Sequence, residues 1–184
     1  MLLVNGSRGI GTGYSTFVPP CNPEVLETAI RAWLAGDATA LQKAPLQPWV
    51  RGFKGPMSED GSMRGVFRKE KDEYVVSELP VGTWTADFRE TLEKWISEGT
   101  AKDFTDLSTD QEVCIRVKGV SEEVLTKALS DKLKMTNMHA FNAEGVITKY
   151  DTLQDILQEY ARVRLDLYAK RRESLLKELQ DRLP

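Results

Sequence analysis

The sequence predicts an α+β fold: a mixed, mainly antiparallel sheet flanked by helices, followed by a long C-terminal helix. Residues 113–118 alternate in polarity, which is typical of a half-buried strand. Two segments, after Pro23 and after Thr85, instead carry apolar residues at helical spacing. Residues 152–182 contain neither glycine nor proline, which favours one uninterrupted helix. Strands and helices in this order indicate a layered α+β domain.

The N-terminal region is expected to begin with a short strand, Leu2-Leu3-Val4, that leads into an extended glycine-rich loop, residues 6–13. The first helix follows, with Asn22 as its N-cap, Pro23 in its first turn and Gly36 at its end.

The middle of the chain is predicted to hold short strands. Residues 45–61 are rich in proline and glycine but carry Trp49 and Phe53, which need burial, so we expect a meandering segment with short strands. Residues 64–68 and 73–78 flank a polar turn and predict a hairpin.

The next elements follow from periodicity. A second helix is predicted from Thr83-Trp84-Thr85 to near Gly99, then a strand over 111–118, a short helix from Ser121 to Ala128 or Leu129, and a hairpin around 142–145. Three tryptophans are expected to be core anchors: Trp49, Trp84 and Trp95.

The long helix carries an apolar stripe spaced 3-4-3-4 at Leu153, Ile156, Tyr160, Val163 and Leu167. At about 1.5 Å per residue, the segment would span roughly 46 Å, so part of it should project or pack against something outside this chain. Its basic residues alternate with acidic ones, which favours a solvated face over DNA contact.

Composition excludes several classes of function. The 184 residues are 41% hydrophobic and 29% charged, which suits one substantial core or two small ones. No apolar stretch is long enough to span a membrane, and the N-terminus lacks the pattern of a signal peptide, so an intracellular protein is expected. The net charge of −3 leaves room for a local basic site.

Metal and thiol chemistry are also disfavoured. Cys21 and Cys114 lack the spacing of a disulfide framework or a thiolate zinc site, and Cys21 is expected to be a small packing residue. His139 is the only histidine, which excludes a multi-histidine metal site, and it is expected to face solvent. We therefore expect no metal-ligating residue in this chain.

The glycine-rich segment superficially resembles the cofactor loop of short-chain dehydrogenases. Only Ser7 and Arg8 separate Gly6 from Gly9, where that family has three residues, and the GxGxxG pattern fails at Tyr14. A nicotinamide-dependent oxidoreductase is therefore disfavoured. A tight turn whose glycines adopt positive φ is the simple structural alternative.

Ile10 is the feature that a simple turn leaves unexplained. It lies between two glycines among small polar and basic neighbours, a poor setting for a core residue. Apolar wedges of this kind enter between DNA base steps while nearby polar and cationic groups hold phosphates.

Four separated motifs, together covering nearly the whole chain, resemble those of the tower and adjoining coiled-coil region of eukaryotic and viral-type DNA topoisomerase II, the type IIA, ATP-dependent class. They are Leu3-Val4-Asn5-Gly6-Ser7-Arg8-Gly9-Ile10-Gly11-Thr12-Gly13-Tyr14, then Pro48-Trp49 through Gly52-Phe53-Lys54-Gly55, then Ser77-Glu78-Leu79-Pro80-Val81-Gly82-Thr83-Trp84-Thr85, and finally Asn137-Met138 through Lys149-Tyr150-Asp151-Thr152.

The resemblance implies DNA-contacting residues. Ile10 matches the isoleucine that inserts into the gate DNA segment and bends it, and Arg8 and Thr12 flank it as candidate backbone contacts. Arg8 departs from the acidic residue common at that place in animal enzymes. A second DNA-contacting stretch aligns with residues 128–137, where the candidates are Lys132, Lys134, Thr136 and Asn137. Ordinary exposed loop lysines are the alternative there.

The resemblance places the catalytic residues elsewhere. No tyrosine here follows an arginine, and neither a DxD nor a GxxxxGK[ST] motif is present. We expect no catalytic residue and no cofactor in this chain, with ATP and Mg²⁺ used by the parent enzyme. The chain alone is expected neither to cleave DNA nor to hydrolyse ATP.

The resemblance also implies an organisation and partners. Residues 1–150 are expected to form a tower-like DNA-bending domain and residues 151–184 the start of a coiled-coil arm. Expected partners are double-stranded DNA, the rest of the topoisomerase chain and a second copy within the parent homodimer, in a nucleus, a cytoplasmic replication site or a virion, and not a membrane. A stand-alone, non-enzymatic DNA-bending or scaffold module is the alternative.

Overall fold

The structure, a computed structural model, describes residues 1–183, except the side chain of Tyr14. Pro184, the last residue of the predicted arm, and the Tyr14 side chain of the first motif lie outside the described part. The chain forms two compact units: the first contains Met1–Gln47 and the residues from Met135 onward, and the second is Pro48–Lys134. The α+β class is confirmed, while the division at residue 150 by function stays a prediction.

The secondary-structure elements run in the following order along the described residues. They are α1 (Leu2–Asn5), β1 (Ser7–Gly11), β2 (Tyr14–Val18), α2 (Pro23–Leu34), β3 (Ser62–Arg64), β4 (Val66–Glu70), β5 (Glu73–Glu78), α3 (Thr85–Ser97), β6 (Asp103–Asp106), β7 (Ile115–Lys118), α4 (Glu122–Ala128), β8 (Ser130–Lys132), β9 (Met138–Phe141), β10 (Ile147–Tyr150) and α5 (Leu153–Asp181).

The predicted N-terminal strand is wrong, because Leu2–Asn5 form a single helical turn. The amide of Asn5 donates to the Met1 carbonyl and the amide of Gly6 to the Leu2 carbonyl. This turn buries Leu3 in the core of the first unit. A three-residue apolar run is too short for periodicity to distinguish a strand from a helical turn.

The predicted extended glycine loop is instead a regular hairpin, β1–β2, paired antiparallel from Ser7↔Val18 to Gly11↔Tyr14. Gly13 has φ 92° at the turn, a left-handed conformation that favours glycine. Gly9 and Gly11 are ordinary strand residues. The glycines therefore did not signal a loop: only Gly6 and Gly13, at the base and the tip, have positive φ within this segment.

The first helix that the sequence predicts is confirmed as α2, and its amphipathic face explains its packing. The Asn22 side chain caps it by accepting the Glu24 amide at 2.9 Å, and Pro23 opens the first turn. Leu26 and Ala29 on its inner face are buried in the core of the first unit.

The hairpin around 142–145 is confirmed as β9–β10, and the long helix is confirmed as α5. Thr152 and Asp155 form a capping box at the helix start. Four helix residues join the core of the first unit: Leu153, Ile156, Leu157 and Ala161. Tyr160 and Leu167 of the predicted stripe are exposed.

The second unit is built on one antiparallel sheet with strand order β4-β5-β7-β6. The predicted 64–68/73–78 hairpin is confirmed as β4–β5, and the strand predicted over 111–118 is confirmed but shorter, as β7. Helices α3 and α4 are also confirmed, and they contribute Phe88, Leu92 and Leu125 to the core.

Three features of the strands differ from the prediction. The described strands form several small sheets rather than one mixed sheet, and every strand pairing among the described residues is antiparallel. Residues 45–61 contain no strand, only single bridge residues at Pro48 and Met57, of which Met57 pairs with Met63. Strands β3, β6 and β8 were not predicted, since each has three or four residues.

Trp84 is not a core anchor: it is 75% exposed at the N-cap of α3. Its backbone is extended (φ −81°, ψ 150°), as is usual for an N-cap residue. Trp95, by contrast, packs on the core, and its ring forms a T-shaped pair with Phe88, with 6.4 Å between centroids.

Among the described helices, none is long and apolar enough to cross a membrane.

Candidate nucleic-acid interface

The β1–β2 hairpin presents Ile10 to solvent, with 86% of its surface exposed. In an antiparallel pair, residues opposite each other share a face, as do residues two apart on one strand. Ile10 lies opposite Ser15, and Arg8 lies opposite Phe17. One face of the hairpin therefore carries an isoleucine and an arginine beside a serine and a phenylalanine.

Small residues leave Ile10 without shielding neighbours. Gly9 and Gly11 flank it along β1 and have no side chains, and Thr12 at the turn is exposed. The opposite face carries Val18, which is 1% exposed in the core of the first unit. One face therefore fixes the hairpin to the body, and the other presents an apolar side chain that the fold does not use.

The base of the hairpin is sterically closed at Gly6. Its φ is 69°, and a Cβ at this position would lie 2.9 Å from the Val18 carbonyl oxygen and 2.9 Å from Pro20. Only glycine fits both the backbone conformation and this close approach. The direction in which the chain enters β1 is thus set by contacts across the base.

Strand β9 and the residue before it hold the hairpin through hydrogen bonds. The Phe17 amide donates to the Asn137 carbonyl at 3.1 Å. The Thr16 hydroxyl donates to the His139 carbonyl at 2.8 Å and accepts the His139 amide at 3.0 Å. A threonine side chain therefore satisfies backbone groups where a strand pairing would otherwise do so.

Asn137 contacts the hairpin with its side chain as well. Its Nδ2 donates to the Ser15 hydroxyl at 2.9 Å, and its Oδ1 lies 3.2 Å from His139 Nδ1. Asn137 was predicted as a DNA-binding residue, and the structure places its amide against the residue opposite Ile10. Thr136 beside it is exposed. His139, expected to face solvent, is half-buried because its strand packs on β2.

The two predicted lysines have different surroundings in the second unit. Lys132, on β8, forms an ion pair with Asp60 at 2.8 Å, while Lys134 is exposed and forms no ion pair within the described residues. The pKa of Asp60 is held well below its usual range, first by the hydrogen bond from Lys132 and then by those from Ser62. The charge of Lys132 is thus already partly neutralised.

The predicted site residues divide between the two units. Arg8, Ile10, Thr12, Thr136 and Asn137 belong to the first, and Lys132 and Lys134 to the second. Within the described part of the chain, neither Arg8 nor Lys134 has a side-chain hydrogen bond or ion pair. Both cations are available to a polyanion.

Sequence reasoning missed Ser15, Thr16 and His139 as supports of the hairpin. Ser15 and Asn137 are 122 positions apart, so no local pattern could show their contact. The β-branched and aromatic residues Thr16, Phe17 and Val18 were the available signal for a strand, but the nearby glycines obscured it.

No group of three His, Cys, Asp or Glu side chains could hold a metal ion in the described part of the chain. Cys21 is fully buried, and burial raises the pKa of its thiol to about 11, so it is a packing residue as predicted.

The α+β fold of this chain matches part of the DNA-binding and cleavage core of a type II topoisomerase. The model of the family formed by the A subunits of DNA gyrase and topoisomerase IV matches residues 1–184, and the chain belongs to this family.

Relatives and a solved structure agree with this assignment. The chain is 35% identical to DNA topoisomerase 2 of Penicillium chrysogenum over 100% of its length and 12% of that protein's, and 29% identical to DNA topoisomerase 2 of Invertebrate iridescent virus 6 over 100% and 17%. It matches the crystal structure of the Plasmodium falciparum topoisomerase II DNA-binding, cleavage and re-ligation domain with a TM-score of 0.87 and 31% identity, covering 97% of this chain and 26% of that one. The chain thus spans between 12% and 17% of the length of these two relatives.

Proposed function

We propose that this chain binds and bends duplex DNA within a type II topoisomerase, an enzyme that passes one duplex through a transient double-strand break. The observation that carries the proposal is Ile10, an apolar side chain 86% exposed on a hairpin fixed to the body of the first unit. A free hydrocarbon side chain in water gains by entering an apolar space. The gap between unstacked base pairs is such a space.

The neighbours of Ile10 suit a phosphate backbone. Arg8 lies on the same face of the hairpin two positions away, and Thr12 is exposed at the turn. Arginine neutralises phosphate charge, and a threonine hydroxyl donates to phosphate oxygen. These contacts would position the duplex while Ile10 deforms it.

Such a wedge would confine the deformation of the duplex to one base step. Smoothly bending a site of 20–30 base pairs costs on the order of 1–6 kcal/mol. A wedge concentrates the deformation at one step, so flexible pyrimidine–purine steps should be favoured without direct reading of base edges.

Lys132, Lys134, Thr136 and Asn137 lie in the proposed second contact stretch, and the two lysines and Thr136 are its proposed phosphate contacts. The lysines would add phosphate neutralisation that does not depend on sequence. Lys134 is exposed and has no ion pair within the described residues, so it is available to a phosphate. Lys132 would have to break its ion pair with Asp60 before it could bind one.

The remaining roles of the parent enzyme are proposed to lie outside this chain. ATP and Mg²⁺ would serve residues elsewhere in a homodimeric, intracellular parent, and this chain by itself would neither cleave DNA nor hydrolyse ATP. Residues 1–150 would form the DNA-bending domain, and residues 151–184 would begin a coiled-coil arm.

The test measures binding and bending separately. A duplex of about 30 base pairs, labelled at both ends, is titrated with the chain, and anisotropy reports binding while energy transfer between the dyes reports bending. We expect Ile10→Ala to abolish bending and to weaken binding only modestly, since the phosphate contacts remain. Ile147→Ala is the matched control, because this isoleucine is 44% exposed on the other hairpin of the first unit.

Equal bending by the parent chain and Ile10→Ala would contradict the wedge assignment. Absence of binding at low salt would exclude a stand-alone DNA-bending module, and would mean that the DNA-binding role of this segment requires the rest of a parent enzyme.

A further inference from the structure

We infer that Asn137 is a positioning residue for Ile10, acting through Ser15, rather than a direct DNA contact. The inference rests on the proposed function of Ile10 as a wedge. It assigns Asn137 a different role from the phosphate contact expected of it.

The geometry connects Asn137 to Ile10 in two steps. The Asn137 Nδ2 donates to the Ser15 hydroxyl at 2.9 Å. Ser15 lies directly opposite Ile10 in the β1–β2 register, so their Cα positions are adjacent across the hairpin. A tie to Ser15 therefore acts at the strand position beside the wedge.

The Asn137 amide is already engaged on both sides. Its Oδ1 faces His139 Nδ1 at 3.2 Å, which orients Nδ2 toward Ser15. Its backbone carbonyl accepts the Phe17 amide at 3.1 Å. The half-buried Asn137 thus holds Ser15 through its side chain and Phe17 through its backbone. Ser15 lies opposite Ile10, and Phe17 lies opposite Arg8.

A two-stranded hairpin needs such support. An isolated pair of strands is marginally stable in water. Inserting a side chain between base pairs costs unstacking energy, so the stacked bases push back against the hairpin. If the hairpin yields, Ile10 withdraws and the duplex stays straight, although phosphate contacts still hold it. Loss of the Asn137 tie should therefore lower bending without lowering affinity in proportion.

The experiment compares Asn137→Ala, Ser15→Ala and their double variant with Ile10→Ala in the energy-transfer and anisotropy assays. We expect both single variants to reduce the bent fraction several-fold, with affinity at low salt changed less than about threefold. The double variant should be no worse than Asn137→Ala alone, because both substitutions remove one shared interaction.

Asn142→Ala provides the matched control. Asn142 supports the turn of the other hairpin in the same unit, where its Oδ1 accepts the amides of Glu144 and Val146. This variant loses an asparagine of similar structural use, so we expect the bent fraction to stay at the level of the parent chain.

A second measurement does not involve DNA. Amide hydrogen exchange of residues 7–18 in the free chain should accelerate about fivefold in Asn137→Ala and Ser15→Ala, as loss of one hydrogen bond predicts, and should not change in Asn142→Ala. Unchanged exchange in both variants would overturn the inference whatever the DNA assays show.

The remaining outcomes separate the two ideas. Weaker binding by Asn137→Ala together with a neutral Ser15→Ala would make Asn137 a direct DNA contact and overturn its positioning role. Normal bending by Asn137→Ala while Ile10→Ala fails to bend would also overturn it, but would leave the wedge function standing. Normal bending by Ile10→Ala would remove the wedge function, and with it the role assigned to Asn137.

Discussion

The two hairpins β4–β5 and β1–β2 use the same element for opposite purposes. In the second unit, β5 lies inside a four-stranded sheet and its residues Tyr74, Val75 and Val76 are all buried. In the first unit, β1–β2 is a two-stranded sheet whose residue Ile10 is 86% exposed. Neighbouring strands thus support the hairpin in the second unit, whereas burial of Val18 and hydrogen bonds to Asn137 and β9 support the hairpin in the first.

Charged residues show a related difference. In the second unit Arg116 pairs with Glu73 at 2.6 Å, and Lys132 pairs with Asp60 at 2.8 Å. On β1 in the first unit, Arg8 has no such partner among the described residues. The charges of Arg116 and Lys132 are thus paired within the fold, whereas the charge of Arg8 is available to a ligand.

The largest expected effect tests the difference in burial directly. Ile115 on β7 is fully buried, so Ile115→Ala should lower the free energy of unfolding by about 2–5 kcal/mol. The same substitution at Ile10 should change it by no more than about 0.5 kcal/mol, because that side chain is already in water. Urea denaturation followed by circular dichroism measures both. Similar losses for the two variants would show that Ile10 contributes to the packing of the fold as much as Ile115 does.

A smaller effect tests whether polar ties stabilise the first unit. The Tyr150 hydroxyl donates to Glu159 at 2.6 Å and joins β10 to α5. Tyr150→Phe should cost about 1.5–3 kcal/mol, the value typical of a hydrogen bond to a charged group. Tyr160→Phe is the control, because Tyr160 lies next to Glu159 on α5 and is 52% exposed.

The same bond predicts a pH dependence. Burial, then the hydrogen bond and charge of Glu159, raise the pKa of Tyr150 from 10.0 to about 12. The folded state therefore retains this proton while the unfolded state loses it. The stability advantage of the parent chain over Tyr150→Phe should be complete below pH 10 and shrink between pH 10 and 12. A constant advantage across that range would contradict this role of the bond.

A third effect tests the availability of the lysines. Lys134→Ala should reduce the slope of log affinity against log salt by about one unit, and Lys132→Ala by less, since Asp60 already neutralises it. The double variant should reduce the slope by up to about two units. Anisotropy titrations at several salt concentrations measure this. An unchanged slope in the double variant would remove the stretch from the DNA surface.

The smallest effect concerns Asp60. Asp60→Asn should release Lys132 and increase DNA affinity at low salt on the order of twofold, since exposed ion pairs contribute little. Asp110→Asn removes the same charge from an exposed position of the second unit and serves as the control. Equal gains in both variants would show a general charge effect instead of competition for Lys132.

The sequence was sufficient wherever local signals were strong. Asn22 with Pro23, and the glycine- and proline-free run after Thr152, specified α2 and α5 through caps and periodicity. The glycine-flanked setting of Ile10 indicated exposure, which the structure confirms. The family followed from four motifs and is confirmed by the comparisons.

Sequence reasoning failed where distant contacts decide the structure. Strand β8, Ser130–Lys132, contains no apolar residue and exists because it pairs with β3. Trp84 was expected in the core, but it is exposed at the N-cap of α3. The support of Ile10 by Asn137 depends on a contact across 122 positions, which no local pattern encodes.

Helix α5 has a mechanical consequence. Its buried residues end at Ala161, and from Arg164 onward every described residue is exposed. The ~20 residues beyond Ala161 extend about 30 Å, so a tilt of about 10° at the root displaces the tip by about 5 Å. The helix is thus a lever arm whose fulcrum includes Glu159, the residue that Tyr150 and the Ala143 amide both contact. Small rotations of the β9–β10 hairpin would be amplified into ångström-scale travel at the far end.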